Sequence, residues 1–368
     1  MYHVSDAWVE AQDKILAPEG FVELSFYIPT LKETLVFTKG DLISFTHQQT
    51  GSLVSGELPK NHIEFVMDNS TGRWDPGSPS GLERYLSERL RVTLRYGFDI
   101  GGVTEWIPGG VFYMSEWRTS PNGQQARFAA RDLLEYMLDK PYTGEISGTL
   151  YEIAERAIGE ADIPADAVVQ ISDLLKNYSV GAIEYKGNES VAEILQKCAN
   201  AAACTMYQNR DGVFRIDKIS YDETGYLISK RWAYSYPETE FARPLKNVSV
   251  TYFGDENVLW QFGGTGETQT LDNEFIYTKD QAVIVAKWVC DSLRTRKKIQ
   301  GETRGDPILD LFDVVEVEDK YGTVAGVVLT DIKCTFTGAF RVSYQGYIRG
   351  SGVAVIVYSG EVFSGEVA

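Results

Sequence analysis

The chain has 368 residues, 43% of them hydrophobic and 12% aromatic, which is enough for two or three packed domains and too much for a disordered one. Its 52 acidic against 35 basic side chains leave a formal net charge of −17, which argues against a protein that grips nucleic acid through a basic footprint. No run approaches about 18 consecutive apolar residues, so no membrane span is read. The opening MYHVSDAWVEAQDK lacks the basic and apolar regions of a secretory signal.

Along the chain, Ser5 or Asp6 can cap a short helix over 7–14 with Trp8 and Ile15 on one face. Strands are predicted over 21–28, 34–38, 63–67 and 90–96; in the third, Ile63, Phe65 and Met67 alternate with Glu64 and Val66. The run 111–117 enters a turn at Pro121-Asn122-Gly123 and returns over 125–129, and an Asn-Gly pair between alternating runs is a strong hairpin signal. Asp132 can cap a short helix over 133–138, so residues 18–140 read as one antiparallel β domain, closed or nearly closed.

The period then changes. Leu150, Ile153, Ala154, Ala157 and Ile158 recur at helical spacing, 168–171 reads as a strand, and Ser190 opens a second helix. The turn Asn209-Arg210-Asp211-Gly212 joins a hairpin of 204–207 and 213–216. From about residue 247 the β signal resumes. It is interrupted by a helix over 282–293 whose end is basic (Arg294, Arg296, Lys297, Lys298), and continues through strands over 299–303, 314–317, 323–329, 334–337 and 340–348. The fold class expected is therefore mainly β with α+β. Residues 1–140 form a first β domain and 141–240 an α+β domain. A second β domain is expected over 241–350, with a helix at about 279–295. It can be a structural echo of the first, but the two do not match closely enough in sequence to claim a repeat. Only a tail over 351–368 is visibly repetitive, with Ser-Gly-Glu-Val after Tyr358 and after Phe363. Such a tail can add a strand to a partner sheet or be a disordered end.

A search for chemistry returns little. The three histidines, His3, His47 and His62, do not pair with the cysteines at metal-ligand spacing, and no Ser or Cys is placed beside them as a nucleophile. Gly263-Gly264-Thr265-Gly266 lacks the Gly-Lys-Ser/Thr ending of a phosphate loop. The stretch 68–75 resembles a calcium loop without its closing acid and reads as an Asx-stabilised turn. Arg304-Gly305-Asp306 reads as a strand-end turn rather than an adhesion tripeptide. Cys198, Cys204, Cys290 and Cys334 read as free buried thiols of a reducing compartment. No catalytic, cofactor-binding or metal-binding residue is assigned, no cofactor is expected, and the chain is not read as an enzyme.

Several runs, soft in motif but spread over roughly residues 20–350, resemble the baseplate-hub or tail-tip proteins of tailed bacteriophages and related contractile injection machines. They are FTKGDLISFTHQQTG with SGELPKNHIEFVMDN, LRVTLRYGFDIGGVTEWIPGGVFYMSEW, NGQQARFAARDLLEYM, NRDGVFRI and GETRGDPILDLFDVVEVEDKYG. In most such hubs a Gly precedes the Asp of the last motif, where this chain has Phe312.

The resemblance implies two tube-like antiparallel β-barrels per subunit around an α+β domain. It also implies a ring, most often a trimer, that matches a sixfold tail tube on one side and a threefold spike or tip on the other. The partners expected are further copies in a homotrimer, a tail-tube or distal tail protein, a tape-measure protein and a spike or tip protein, with DNA only in transit. The expected location is the virion tail, after synthesis in the host cytoplasm. The acidic balance fits a conduit that does not hold its cargo. A receptor- or carbohydrate-binding tail protein is the alternative, since Trp8, Trp74, Trp106, Trp117, Trp232, Trp260 and Trp288 give it aromatic material. A cell-wall hydrolase has no constellation behind it. With no lysozyme, peptidase or fibre segment after Ala368, any cell-wall enzyme is expected on a separate protein.

Overall fold

The computed structural model describes residues 2–14, 16–78, 81–183, 187–241, 245–252, 256–261, 266–293, 297–349, 354–358 and 361–365. Ile15, Gly263, Gly264, Thr265, Arg294 and Arg296, named above, lie outside them, as do the side chains of Trp260 and of the repeated tail.

Helix α1 (Asp6–Gln12) is capped by Ser5, whose hydroxyl accepts the Trp8 backbone N–H at 3.1 Å. It is followed by β1 (Gly20–Ile28), β2 (Glu33–Phe37), β3 (Leu42–Thr50), β4 (Lys60–Asp68), β5 (Arg91–Ile100), β6 (Val103–Thr119) and β7 (Gln125–Arg131). Every second residue of these strands points into one core, as in Val22, Leu24, Phe26 and Ile28 of β1. Phe65 and Phe128 stack at 5.0 Å there, edged by Trp74 at 5.0 Å from Phe128. The turn from β6 to β7 is not the two-residue kind that Asn-Gly alone predicts. Proline fixes φ negative at Pro121, so the chain makes a turn closed from Gly123 N–H to Ser120 C=O and reserves the left-handed backbone for Gly123, at φ 68°. β6 is long because it bends midway: the ladder with β5 slips between Leu94 and Arg95, and a Cβ on Gly109 would lie 2.6 Å from the Leu94 side chain.

The middle of the chain holds β8 (Ile146–Thr149), α2 (Leu150–Glu160), β9 (Val168–Ile171), β10 (Ser179–Ile183), α3 (Val191–Ala201), β11 (Thr205–Gln208) and β12 (Val213–Asp217). Both helices open with a capping box, Thr149 with Glu152 and Ser190 with Glu193, and bury their apolar stripes in a second core. Then come β13 (Glu223–Ile228), β14 (Ala233–Phe241), β15 (Leu245–Tyr252), β16 (Glu256–Gln261), β17 (Glu267–Leu271) and α4 (Lys279–Leu293). The last strands are β18 (Lys297–Arg304), β19 (Val314–Glu318), β20 (Val324–Phe336), β21 (Phe340–Ile348), β22 (Ala354–Tyr358) and β23 (Glu361–Gly365).

The chain is thus mainly β with α+β parts, as expected. Sheet membership is interleaved: β15, β16 and β17 form a separate sheet with the tail strands β22 and β23. The largest sheet runs β14-β18-β21-β20-β3-β4-β7-β6-β5-β1-β2, with β19 attached to β20 and β13 to β19. Among the described strands this order is open at both ends. The two regions predicted over 323–329 and 334–337 are one strand, β20, continuous through a register shift between Leu329 and Asp331.

Phe128 is 3% exposed and lies at the centre of the aromatic core. Phe128→Ala is expected to cost about 3–5 kcal/mol, read as a lowered urea midpoint with an unchanged slope.

Candidate assembly surface

Eight consecutive strands of the large sheet, β14-β18-β21-β20-β3-β4-β7-β6, are antiparallel at every step. They divide at the β20–β3 ladder into two halves of the same construction. In each, a long bent strand (β6, β20) pairs along its first part with the strand before it (β5, β19) and along its second part with the next strand (β7, β21). The registers coincide residue by residue. Tyr113, Met114, Glu116 and Trp117 face Arg131, Ala130, Ala129 and Phe128, with a slip at Ser115. Val328, Leu329, Asp331 and Ile332 face Tyr347, Gly346, Gln345 and Tyr344, with a slip at Thr330. Outward from these, β4 corresponds to β18 and β3 to β14, with Gln48 opposite His62 as Glu240 is opposite Lys298. The equivalence stops further out, where β1 joins β5 antiparallel but β13 joins β19 parallel.

The outward face of this run is polar and carries both signs interleaved. A furrow of about 190 Å³ on one half is lined by Ser44, Thr46, Glu64, Glu116, Arg118 and Arg127. One of about 360 Å³ on the other is lined by Ser235, Glu238, Gln300, Asp331, Ser343 and Gln345. Among the described residues, 115–119 of β6 pair with β7 alone and β14 pairs with β18 alone, so each end of the run presents a strand edge without a described partner.

Behind the seam lies a buried polar cluster. His47 on β3 contacts Tyr96 OH through Nδ1 at 2.7 Å and Asn61 Oδ1 through Nε2 at 2.8 Å. An amide oxygen only accepts, so Nε2 carries the proton and Nδ1 accepts from the tyrosine. The neutral ring is satisfied, and burial pulls its pKa down from 6.5 to about 4. Arg210, at the tip of the β11–β12 hairpin and 7% exposed, donates to Leu309 O at 2.7 Å, Pro307 O at 3.0 Å and Asp310 Oδ2 at 3.3 Å. Gln49 donates to the other Asp310 oxygen at 3.1 Å. Asp306 accepts from Trp8 Nε1 at 3.3 Å and Tyr226 OH at 3.2 Å, and burial lifts its pKa from 3.8 to about 6.

The residues singled out from sequence fall as follows. His47 and His62 sit on neighbouring strands, His47 wholly inside and His62 half-buried; His3 is exposed. Arg304-Gly305-Asp306 cannot present itself, because Asp306 is buried and Arg304 donates to the carbonyls of Gln12 and Lys14. In 68–75, Asp68 makes the Asx turn, its Oδ1 accepting Ser70 N–H at 3.1 Å, and Asn69 ties the loop together by accepting Trp74 N–H at 2.8 Å and donating to Asp75 at 2.8 Å. The four cysteines are free and buried, and burial raises the thiol pKa of Cys198, Cys204 and Cys334. Trp8 and Trp74 are core residues, and Trp106, Trp117, Trp232 and Trp288 are half-buried. Phe312 holds a left-handed backbone at φ 67°, the conformation glycine adopts without strain, and its ring packs edge-on against Tyr207 at 5.4 Å. Among the described residues no group of three His, Cys, Asp or Glu can hold a metal ion, and no helix is long and apolar enough to cross a membrane.

Sequence reasoning missed both seam-type strands. The inward positions of β3 include His47 and Gln49, and β14 carries Pro237 and two glutamates, so neither shows an apolar period.

No family model matches the chain and no curated protein matches it. Solved structures do. The tail protein from Neisseria meningitidis MC58 aligns at TM-score 0.60 and 13% identity, over 89% of this chain and 96% of that one. The 43 kDa tail protein of prophage MuSo2 from Shewanella oneidensis aligns at 0.59 and 14%, over 90% and 98%. The prophage tail protein gp18 from Listeria monocytogenes EGD-e aligns at 0.53 and 11%, over 88% and 94%. At such identities the likeness lies in the fold, and the fold is that of phage tail proteins.

Two measurements test the cluster. Arg210→Met removes the donor from one Asp310 oxygen and from the Pro307 and Leu309 carbonyls and is expected to cost about 3–5 kcal/mol in denaturant unfolding. The pH dependence has opposed parts. Asp306, raised in the fold, stabilises fully below its ordinary 3.8 and loses that contribution as pH rises through about 6. His47, depressed in the fold, stabilises above 6.5 and loses that contribution as pH falls toward about 4. Asp306→Asn removes one side of the balance. Its unfolding midpoint should therefore drop more than the parent's between about pH 7 and about pH 4.5; equal drops would show the carboxyl is not protonated there.

Proposed function

We propose that this chain is a structural, non-catalytic component of a phage or phage-like tail, a hub that joins the tail tube to the tip or spike. The single observation that carries this reading is the pair of equivalent β units in one chain, on a fold shared with phage tail proteins. Three copies with two such units each give six similar units in a ring, which meets a sixfold tube on one face and a threefold tip on the other. In this reading, residues 1–140 and the strands at 223–241 and 297–348 supply the two tube-like units. The α+β segment, with α2, α3 and the hairpin that carries Arg210, braces them.

The outward face of the eight-strand run is the natural wall of the central channel. Its side chains alternate in sign, as with Glu116 beside Arg118 and Asp331 beside Lys333, and form no continuous cationic track that would hold a duplex in transit. The partners in this reading are further copies of the chain, a tube or distal tail protein, the tape-measure protein and a spike or tip protein, and the location is the virion tail. The burial of Trp8 and Trp74 removes two of the rings that a sugar-binding surface would need.

Negative-stain microscopy of the full chain, alone and mixed with the tail-tube protein from the same particle, tests the proposal. Threefold rings seated on tube ends are the expected result. A chain that stays monomeric and does not bind the tube protein would overturn it.

A further inference from the structure

We infer that the second β unit takes up an extended strand of another protein, apolar and acidic at alternate positions, in a slot along the open edge of β13. The inference stands on the geometry of that unit and does not require the ring described above.

The first unit shows what the second lacks. There β5 is joined by β1, and β1 by β2, which completes the core with Leu35 and Phe37. The Phe37 ring lies 5.0 Å from Phe26 and 5.4 Å from Trp74. In the second unit β19, the counterpart of β5, is joined by β13, and among the described residues no strand pairs with the far edge of β13. A hollow of about 380 Å³ lies along that edge. It is lined by residues 225–229 in unbroken succession and by no residue of β19. Successive side chains of a strand point to opposite faces, so a hollow that touches five in a row follows the backbone edge, here on the side away from β19. Those five residues span about 16 Å. An edge strand presents alternate N–H and C=O groups to whatever lies beside it, which is how an extended peptide joins a sheet.

The walls suit a strand with one apolar face. Val9 of α1, Leu227, Ile228, Leu309 and Trp232 line the hollow, and Val9 and Leu227 are 57% and 43% exposed. Gln12 of α1 stands in the same wall, and its buried Nε2 has no hydrogen-bond partner among the described residues. A buried donor left unpaired costs about 1–3 kcal/mol, and a carbonyl of an added strand would satisfy it. The mouth is basic although the chain carries a net charge of −17. The guanidinium groups of Arg231 and Arg304 lie over the Trp232 ring, 4.4 and 3.7 Å from its centre, against the one exposed carboxylate of Asp13. The other carboxylate of the lining, Asp306, is buried and bound to Trp8 and Tyr226. Acidic side chains on the strand meet the guanidinium pair, and lysines in their place are repelled.

Hydrogen–deuterium exchange of the full chain, with and without a capped hexapeptide of alternating valine and glutamate, tests the slot. Saturable binding with slowed exchange at residues 225–229, and unchanged exchange along β2 and β14, is the expected result. Val9→Trp adds bulk at an exposed position of the wall and should weaken binding about tenfold or more. A valine–lysine hexapeptide should bind about tenfold more weakly than the valine–glutamate one, and Arg231→Glu should reverse that preference. No saturable binding, protection at another edge, or equal binding of the two peptides would overturn the inference, and none of these results bears on ring formation. Self-association of the chain that Val9→Trp abolishes, without peptide binding, would assign the slot to a second copy and overturn the choice of partner.

Discussion

The ladder between β3 and β20 is the constraint on which the rest of the structure depends. It converts two β units made from distant parts of the chain into one sheet, and the polar cluster beneath it fixes how those units sit. Arg210 reaches that cluster from the middle of the chain, with donors to Pro307, Leu309 and Asp310 on the connection between β18 and β19. A buried guanidinium is tolerated only when its donors are met, and here meeting them locks the α+β segment, the seam and the second unit together. Trp8, bound to Asp306, draws the N-terminal helix into the same knot.

Charge is distributed with equal economy. The chain as a whole is strongly acidic, yet the eight-strand run alternates acids and bases on its outward face. Net charge speaks to solubility and to long-range repulsion of polyanions.

Much of the fold was legible in the sequence. The alternation of Ile63, Phe65 and Met67, the helical spacing of Leu150, Ile153, Ala154 and Ala157, and the helix-opening residues Ser5 and Ser190 all led to the elements observed. These are local signals, because a strand or helix that buries one face repeats its apolar residues at its own period. The candidate surface was less legible. β3 reads as polar because its inward side chains His47 and Gln49 serve the buried cluster instead of an apolar core. β20 reads as two strands because Asp331 and Lys333 on its outward face interrupt the apolar run. The family resemblance supplied two equivalent units, and the left-handed backbone of Phe312 accounts for the glycine that most such hubs carry at its place.

By itself, the sequence determined the class of the protein: mainly β with an α+β insertion, acidic, without a constellation for catalysis. Periodicity and composition act over short stretches, and those stretches carry them in full. Only the tertiary structure decided that the two β segments share one continuous sheet and that their registers coincide. It also decided that Lys333 and Gln48, which face each other at the seam, correspond to Arg118 and Glu240 at the two ends of the run. Strand pairing is set by backbone hydrogen bonds between residues hundreds of positions apart, and a backbone ladder tolerates Phe128 where its counterpart is Tyr344. A repeat held in register rather than in residue identity leaves little trace along the chain until it is folded.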